Sequence, residues 1–491
     1  MIAGLDIGTT SVKFSIYDPE GCCLAEKAAD HHGVIGGVAD YEVIWDAAVE
    51  VILACGAARK QVRSLAISTF GESMALRAGD GSLLPQEPGT SAGRLALLEE
   101  LTKQFGEEEL FRRTGLIPGE HFPLIRLFEL ACRTLPQSPR PSVQLLESFF
   151  LQRLTGENAV SSSAASRTML FRAEEGRWDE ELMAFAGLEE SRLPRVVPTG
   201  APVGRLRQEM ADLLGLPPET LLSAGGHDQL CCAIGAGPWT PDTLVNCSGT
   251  MESLGRPLTG EKPASILLAA RMQRCPTPWP DWHFTFYAPV RGCSTLDLFA
   301  HRFAAREVRQ AEQAGLHPQQ YLQRLCKEDP AGPLVIPYFG GRGYPDRNPR
   351  CRGMVLGLTP DTGPGEVYQA LLEGIAFELR RCLERWEETG LLAAKLLAVG
   401  GGARGDYWLA RKADILGLPV ERPPVRQAGT LGAAILGGLG SGLLKDQRDA
   451  ERLFGKGSCF YPDQKRRERY QEKYQRYCEI VKNYDWERTR W

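Results

Sequence analysis

Residues 2–17 read Ile-Ala-Gly-Leu-Asp-Ile-Gly-Thr-Thr-Ser-Val-Lys-Phe-Ser-Ile-Tyr, and this stretch decides the fold. Ile2 to Ile7 is a short apolar run that reads as a buried strand. Gly8-Thr9-Thr10 is a turn, and Val12, Phe14 and Ile16 then alternate with Lys13, Ser15 and Tyr17 in a returning strand. The design recurs 240 residues later. Leu244 to Cys247 is a strand, Ser248-Gly249-Thr250 a turn, and Met251 to Leu254 the return. Two related halves are therefore expected. They join near Gly235 to Asp242, where glycine and proline cluster, which places the domains at 1–238 and 239–491.

Apolar β-branched runs alternate with helical patterns along the whole chain, so the fold class is α/β. A long helix beginning near Gly365 repeats Val367, Leu371, Ile375 and Leu379 on one face. The last segment, Lys465 to Tyr484, is highly charged and carries Tyr470, Tyr474, Tyr477 and Val481 at helical spacing, the pattern of a docking helix with a solvated face. Arg133 to Pro141 and Pro276 to Trp282 read as proline-rich loops.

Composition sets outer bounds. A length of 491 residues is enough for about three average domains or two large ones, and 43% hydrophobic with 24% charged residues is ordinary for a globular protein. The formal net charge of −4 offers no basic surface to neutralise phosphates, so a nucleic-acid-binding body is not expected. The start MIAGLDIGTT has no secretory character, which gives an expectation of a cytoplasmic protein. The longest uncharged stretch, Ala428 to Leu444, is glycine-rich and shorter than the ~20 apolar residues that cross a bilayer, so no membrane segment is expected. Fourteen cysteines are scattered without any C-x-x-C spacing, which disfavours zinc and thioredoxin chemistry.

Four segments carry candidate chemistry. Asp6 is a carboxylate inside an apolar strand and needs a cation, since an unpaired buried charge costs several kcal/mol. The adjoining Gly8-Thr9-Thr10 turn, with Lys13 beyond it, offers amides, hydroxyls and charge to a phosphate, and Gly249-Thr250 repeats the arrangement. In LLSAGGHDQLCC, Asp228 stands at a strand end beside glycines, where a helix cap and a general base are both served. Gly400, Gly402 and Gly405 satisfy G-x-G-x-x-G, with Glu421 about 20 residues later, the pattern of a dinucleotide dehydrogenase. The motif lies too late in the chain for a complete nucleotide-binding domain of that type. No P-loop motif is present.

Taken in order, GLDIGTTSVK, ISTFGES, LTGE followed by SRTM, GGHDQ, CSGTMESLG, GMVLGLTPDT with ALLEGIAFELR, and GGGARGDYWLARKADILGLPV resemble the FGGY carbohydrate kinases. The resemblance runs from about Ile2 to Pro462. It implies two actin-like ATPase (ribonuclease H-like) domains flanking a catalytic cleft, and transfer of the γ-phosphoryl group of ATP, with Mg2+, to a hydroxyl of a sugar or polyol. By the same resemblance Asp228 is the catalytic base, and Glu72, Arg94, His227 and Gln229 bind the substrate. Gly8, Thr9, Thr10, Ser11 and Lys13 form the first phosphate loop. Gly249, Thr250 and Gly292 belong to the second, Gly401, Gly402 and Asp406 contact the adenosine, and Asp6 is associated with the metal. A small-molecule sugar is the implied partner, and a homodimer is compatible with the family.

The departures bear on the substrate. Where many members have an aromatic-x-Asp-x-Arg pattern, this chain has Thr90-Ser91-Ala92-Gly93-Arg94, keeping the arginine without the acid. The residue before Glu72 is Gly71, not the arginine of glycerol kinases. The stretch NAVSSSAASRTM lacks the acid many members carry, and Ala410 replaces a usual glutamine. ISTFGES and CSGTMES are more similar to the fuculose and rhamnulose kinase branches, and a ketose or deoxyketose is the expected acceptor. The alternative is a sugar-binding relative that has lost catalysis.

Overall fold

The computed structural model describes residues 1–84, 91–133, 141–260, 262–328, 330 and 332–484. The sequence-predicted loop at 133–141 falls mostly outside them. The chain divides into two compact units: Met1–Pro238 with Leu258–Thr285 and Gln427–Gly455 in the first, and Trp239–Pro257, Phe286–Arg426 and Lys456–Trp491 in the second. The second half of the chain thus returns twice to the first unit after passing Trp239.

Unit 1 is built on a six-stranded sheet. Strands β1 (Ile2–Ile7), β2 (Ser11–Tyr17) and β3 (Cys23–Asp30) form an antiparallel meander, β4 (Ser64–Thr69) runs parallel to β1, and β6 (Leu221–His227) runs parallel to β4. Strand β5 (Pro202–Arg205) closes the far edge against β6. Every residue of β1 and of β4 is buried, as expected of central strands covered on both faces, and the polar Asp6 and Ser68 within them hydrogen-bond one another. One face packs on α1 (Tyr41–Leu53).

The other face receives α8 (Ala428–Gly440), the uncharged glycine-rich stretch of the sequence. Its glycines are contact points where backbone meets backbone. A Cβ on Gly4 of β1 would collide with the Thr430 carbonyl, and one on Gly432 with the Cys231 carbonyl of α5 (Asp228–Ala236). A Cβ on Gly235 would collide in turn with the Ala428 carbonyl. This close seat is the physical reason that residues 427–455 fold with unit 1. Among the described residues no helix is long and apolar enough to cross a membrane.

Unit 2 repeats the strand plan. Its sheet contains β9 (Trp282–Arg291), β8 (Met251–Thr259), β7 (Thr243–Ser248), β10 (Lys395–Val399), β11 (Val420–Arg422) and β12 (Ser458–Phe460), in that order. Strand β7 pairs antiparallel with β8 and parallel with β10, and β10 pairs parallel with β11. Helix α6 (Pro364–Glu387) starts with Pro364 in its first turn and with Glu366 accepting from the Gly363 amide at 2.8 Å. Leu371, Ile375 and Leu379 are buried, as their spacing predicts. Helix α9 (Gln464–Asn483) lays Tyr470, Tyr474, Tyr477 and Val481 into the same core, and the Tyr470 and Tyr477 hydroxyls donate to Glu373 and Glu378 of α6.

Replacing glycine by alanine inside an exposed helix stabilises it by about 1 kcal/mol. At Gly432 the overlap reverses the sign: Gly432→Ala is expected to destabilise by about 1–3 kcal/mol, lowering Tm by a few degrees or more in a thermal melt. Gly401→Ala, whose Cβ would meet nothing within 4 Å, leaves Tm unchanged.

Candidate active site

Asp228 is the first residue of α5, directly after β6. The strand carries a bulge between Ala224 and Gly226, and Gly226 takes φ +122°, a conformation that favours glycine. A side chain there would also collide with the Ser163 hydroxyl. The bulge is held from beneath by a buried relay. The His227 amide donates to Ser163 Oγ at 3.3 Å, Ser163 Oγ lies 3.3 Å from Ser161 Oγ, and Ser161 donates its amide (2.8 Å) and hydroxyl (2.7 Å) to Glu147 Oε2. Glu147 belongs to α4 (Leu146–Thr155) and is fully buried.

Three carboxylates of unit 1 have different neighbours. Asp6 accepts from Ser68 Oγ at 2.7 Å and faces Lys13, its cross-strand partner, at 3.8 Å, so the cation that its burial demands is present. Glu72, held at φ +57°, receives Arg167 Nε at 2.8 Å and Nη2 at 2.5 Å on Oε1. Burial would raise its pKa, but the Arg167 guanidinium outweighs burial and holds it below the ordinary carboxylate value. Asp228 lies 3.4 Å from His227 Nε2. Burial drives the imidazole down to about 3, so this neighbour is neutral. With burial first and the charges of Asp6 and Glu72 next, the Asp228 carboxyl rises to about 8, although 26% of its side chain meets solvent.

The first turn is closed by the Gly8 amide on the Ser11 carbonyl at 3.0 Å. His31 Nε2 on the Gly8 carbonyl at 2.9 Å supports it, a contact the sequence did not announce. Thr9 and Thr10 remain exposed, with Gly8 and Ser11 half-buried beside them. Gln229 follows Asp228, and its backbone N–H donates to the Asp228 carboxylate. Arg94, on α2 (Ser91–Phe105), pairs with Glu129 Oε2 of α3 (Pro123–Arg133) at 3.1 Å rather than with the three carboxylates. Glu129 thus gives Arg94 the acid its own motif lacks. Thr90 lies outside the described residues.

In unit 2 the Gly249-Thr250 turn is held by Gly292: the Gly292 amide donates to the Thr250 carbonyl at 2.9 Å and the Cys293 amide to that of Gly249 at 2.8 Å. Beneath it lies a fully buried ion pair. Lys412 Nζ of α7 (Asp406–Leu416) donates to Glu252 Oε1 at 2.6 Å, Asn246 Oδ1 at 2.6 Å and Ser248 Oγ at 2.7 Å, and sits 3.9 Å from the centre of the Trp408 ring. Gly400 (φ +89°) and Gly402 approach Ser248 closely, while Gly401 stays open. Asp406 pairs with Arg422 at 2.7 Å. The dehydrogenase reading loses its acid here, because Glu421 is paired with Lys395 at 3.0 Å. It also loses its sheet, because β10 lies between β7 and β11 in a plan that begins with an antiparallel hairpin.

The N-terminal profile of the FGGY family of carbohydrate kinases matches residues 1–235 and the C-terminal profile matches residues 286–441. The chain belongs to the FGGY family of carbohydrate kinases. Curated FGGY relatives include glycerol kinase of Trichlorobacter lovleyi, 28% identical over 494 residues with 94% of each chain covered. Glycerol kinase of Thermus brockianus is 30% identical with 90% of each covered. Of solved structures, xylulose kinase of Lactobacillus acidophilus is similar in fold with a TM-score of 0.84 at 20% identity, over 98% of this chain and 97% of that one. Gluconate kinase of the same organism gives 0.85 at 21%, over 98% and 97%. The α/β architecture with two ribonuclease H-like sheets is the fold these FGGY kinases share.

Two outcomes follow from the buried charges. Removing one partner of a buried pair strands the other, so Lys412→Met should cost about 3–5 kcal/mol in denaturant unfolding. Lys412→Met/Glu252→Gln, which leaves no lone charge, should recover more than half of it. Burial raises Glu147 to about 7 from an ordinary 4.5, so its contribution to stability is fully present below about 4.5 and is lost as pH rises through about 7. The stability difference between wild type and Glu147→Gln should therefore shift against wild type across that window. Other carboxylates titrate in both proteins and cancel.

Proposed function

We propose that this kinase transfers the γ-phosphoryl group of ATP to a hydroxyl of a ketose, deoxyketose or related polyol, with Asp228 accepting the proton of the attacking hydroxyl. The observation that carries the reading is the position of Asp228: a partly exposed carboxyl at the bulged end of β6, with its pKa raised to about 8 by burial and by the nearby Asp6 and Glu72, beside a neutral histidine. A base tuned toward neutral pH is what general-base catalysis asks for. Phosphoryl transfer otherwise needs positioning and charge neutralisation. Thr9, Thr10 and Lys13 in unit 1, and Gly249, Thr250 and Gly292 in unit 2, offer amides, hydroxyls and a cation for the phosphates, and Gly401, Gly402 and Asp406 are the adenosine contacts.

The residues present fit Mg2+ as it is bound in kinases, through one or two carboxylates plus substrate phosphates rather than a protein cage. Asp6 keeps Oδ1 on Ser68 and leaves Oδ2 only a loose contact with Lys13. Among the described residues no group of three potential ligands stands ready to hold a metal alone. When bound, the ion would neutralise charge on the phosphates. Asp6 would hold it, directly or through water.

A ketose is favoured over glycerol by Gly71. A Cβ there would stand 2.8 Å from His227 Cδ2 and 3.0 Å from Arg167 Cγ, so the arginine that precedes the matching glutamate in glycerol kinases has no room. The described cysteines are free thiols, which suits an ATP-using enzyme of the cytoplasm. A homodimer is proposed on family grounds alone, and light scattering decides it.

ADP release with Mg-ATP across ketoses, deoxyketoses, aldoses and polyols tests the reading. Sugar-dependent turnover should fall at least 10²-fold in Asp228→Asn, since a general base contributes about 10²–10⁴-fold. A variant within tenfold of wild type would remove Asp228 as the base, and absence of turnover with every acceptor would favour the non-catalytic relative. Because kcat/KM reports the free enzyme, it should rise with pH until Asp228 ionises near 8.

A further inference from the structure

Arg167 does more than neutralise Glu72. Its guanidinium can only donate. Nε and Nη2 both go to Glu72 Oε1, and Nη1 goes to Gln273 Oε1 at 2.8 Å. A donor-only fork fixes which end of the Gln273 amide it meets: Oε1 faces the arginine and Nε2 points away. Likewise Glu72 Oε1 is doubly occupied while Oε2 is not. Neither Gln273 Nε2 nor Glu72 Oε2 hydrogen-bonds a described residue, and neither is sealed from solvent. Arg167, 4% exposed, therefore holds on one guanidinium both an amide whose donor is uncommitted and a carboxylate with an uncommitted oxygen.

This pair is joined to the base by a chain of contacts. The Arg167 stem and the His227 ring meet over Gly71, and His227 Nε2 reaches Asp228 Oδ1 at 3.4 Å. Gln273, Arg167, His227 and Asp228 follow one another within unit 1. A donor-only group next to an acceptor-only group is complementary to a carbonyl next to a hydroxyl. The carbonyl oxygen accepts from Gln273 Nε2, and the hydroxyl donates to Glu72 Oε2. A polyol offers a second hydroxyl where the carbonyl would be, and that hydroxyl can accept from Gln273 Nε2 only by turning its own proton away from the amide.

Resting on the kinase reading above, we infer that Gln273 is a substrate-recognition residue, and that Gln273 Nε2 and Glu72 Oε2, set by Arg167, bind the α-hydroxyketone end of a ketose whose distal hydroxyl is phosphorylated. Nothing in the 258–285 segment announces this role, since Gln273 lies far in sequence from Glu72, Arg167 and Asp228.

Two probe pairs differ only in the carbonyl: dihydroxyacetone against glycerol, and D-xylulose against xylitol. Wild type should prefer the ketone in at least one pair by about tenfold or more in kcat/KM, because a site built to hydrogen-bond a group rejects the analogue that cannot complete the bond. In Gln273→Leu, which removes the donor, and in Gln273→Glu, which replaces it with a second acceptor, that preference should fall to within about threefold. The fall should come through KM for the ketone, with KM for ATP unchanged. The two variants guard against one failing to fold, and thermal melts identify that case. Calorimetric titration of the same four probes into Asp228→Asn should show the same order without turnover. An undiminished ketone preference in either folded variant, or no preference in wild type that turns the probes over, overturns the inference. Absence of Asp228-dependent ADP release across the full panel of ketoses, deoxyketoses, aldoses and polyols instead brings down the kinase reading on which it rests.

Discussion

The first unit depends on a contact between bare backbones. Helix α8 can lie against β1 and α5 only because Gly4, Gly235 and Gly432 carry no side chains where carbonyl oxygens press in. The same seat makes the chemistry. Gly429 of α8 leaves the space that the Asp6 carboxylate fills, and α5, which Gly432 lets approach, begins at Asp228. Asp6 and Asp228 come from positions 222 residues apart, and the glycines of a third segment bring them close enough to influence one another electrostatically.

Charge balance then separates three similar side chains into three roles. Asp6 has Lys13 and a serine hydroxyl, Glu72 has the fork of Arg167, and Asp228 has a neutral imidazole with two carboxylates nearby. The first two have cationic partners and can hold a cation or accept from a sugar hydroxyl. The third is the one whose environment favours taking up a proton, which is how pairs of titratable groups with divergent pKa values mark acid–base assignments. In unit 2 the corresponding hairpin rests on a buried lysine–glutamate pair instead. Its exposed turn keeps its shape through side chains that never reach solvent.

The hairpins, the long helix and the docking helix were legible because their periodicity is local: β1 and β2 need only their own alternation to be recognised. Asp6, Asp228 and the two Gly-Thr turns were legible because a charge or a bare backbone in an apolar context is anomalous on its own. What could not be read was pairing. The acid beside Arg94 is Glu129, the acid beneath Ser161 is Glu147, and the cation beside Glu252 is Lys412, each supplied by a different element. The glycines of 428–440 were visible as a composition, but the surface they seat against is a property of the folded unit. The G-x-G-x-x-G match was a true local pattern in the wrong sheet.

The proposed catalysis requires that Asp6 and Asp228 share one electrostatic environment. Carbon-13 NMR titration of aspartate-labelled protein, with Asp228 assigned through Asp228→Asn, measures this directly. Asp228 should titrate near 8 in wild type and distinctly lower in Asp6→Asn, because removing a nearby negative charge eases ionisation. An Asp228 that titrates at the ordinary aspartate value, or that ignores the loss of Asp6, would contradict the arrangement on which the proposed catalysis depends.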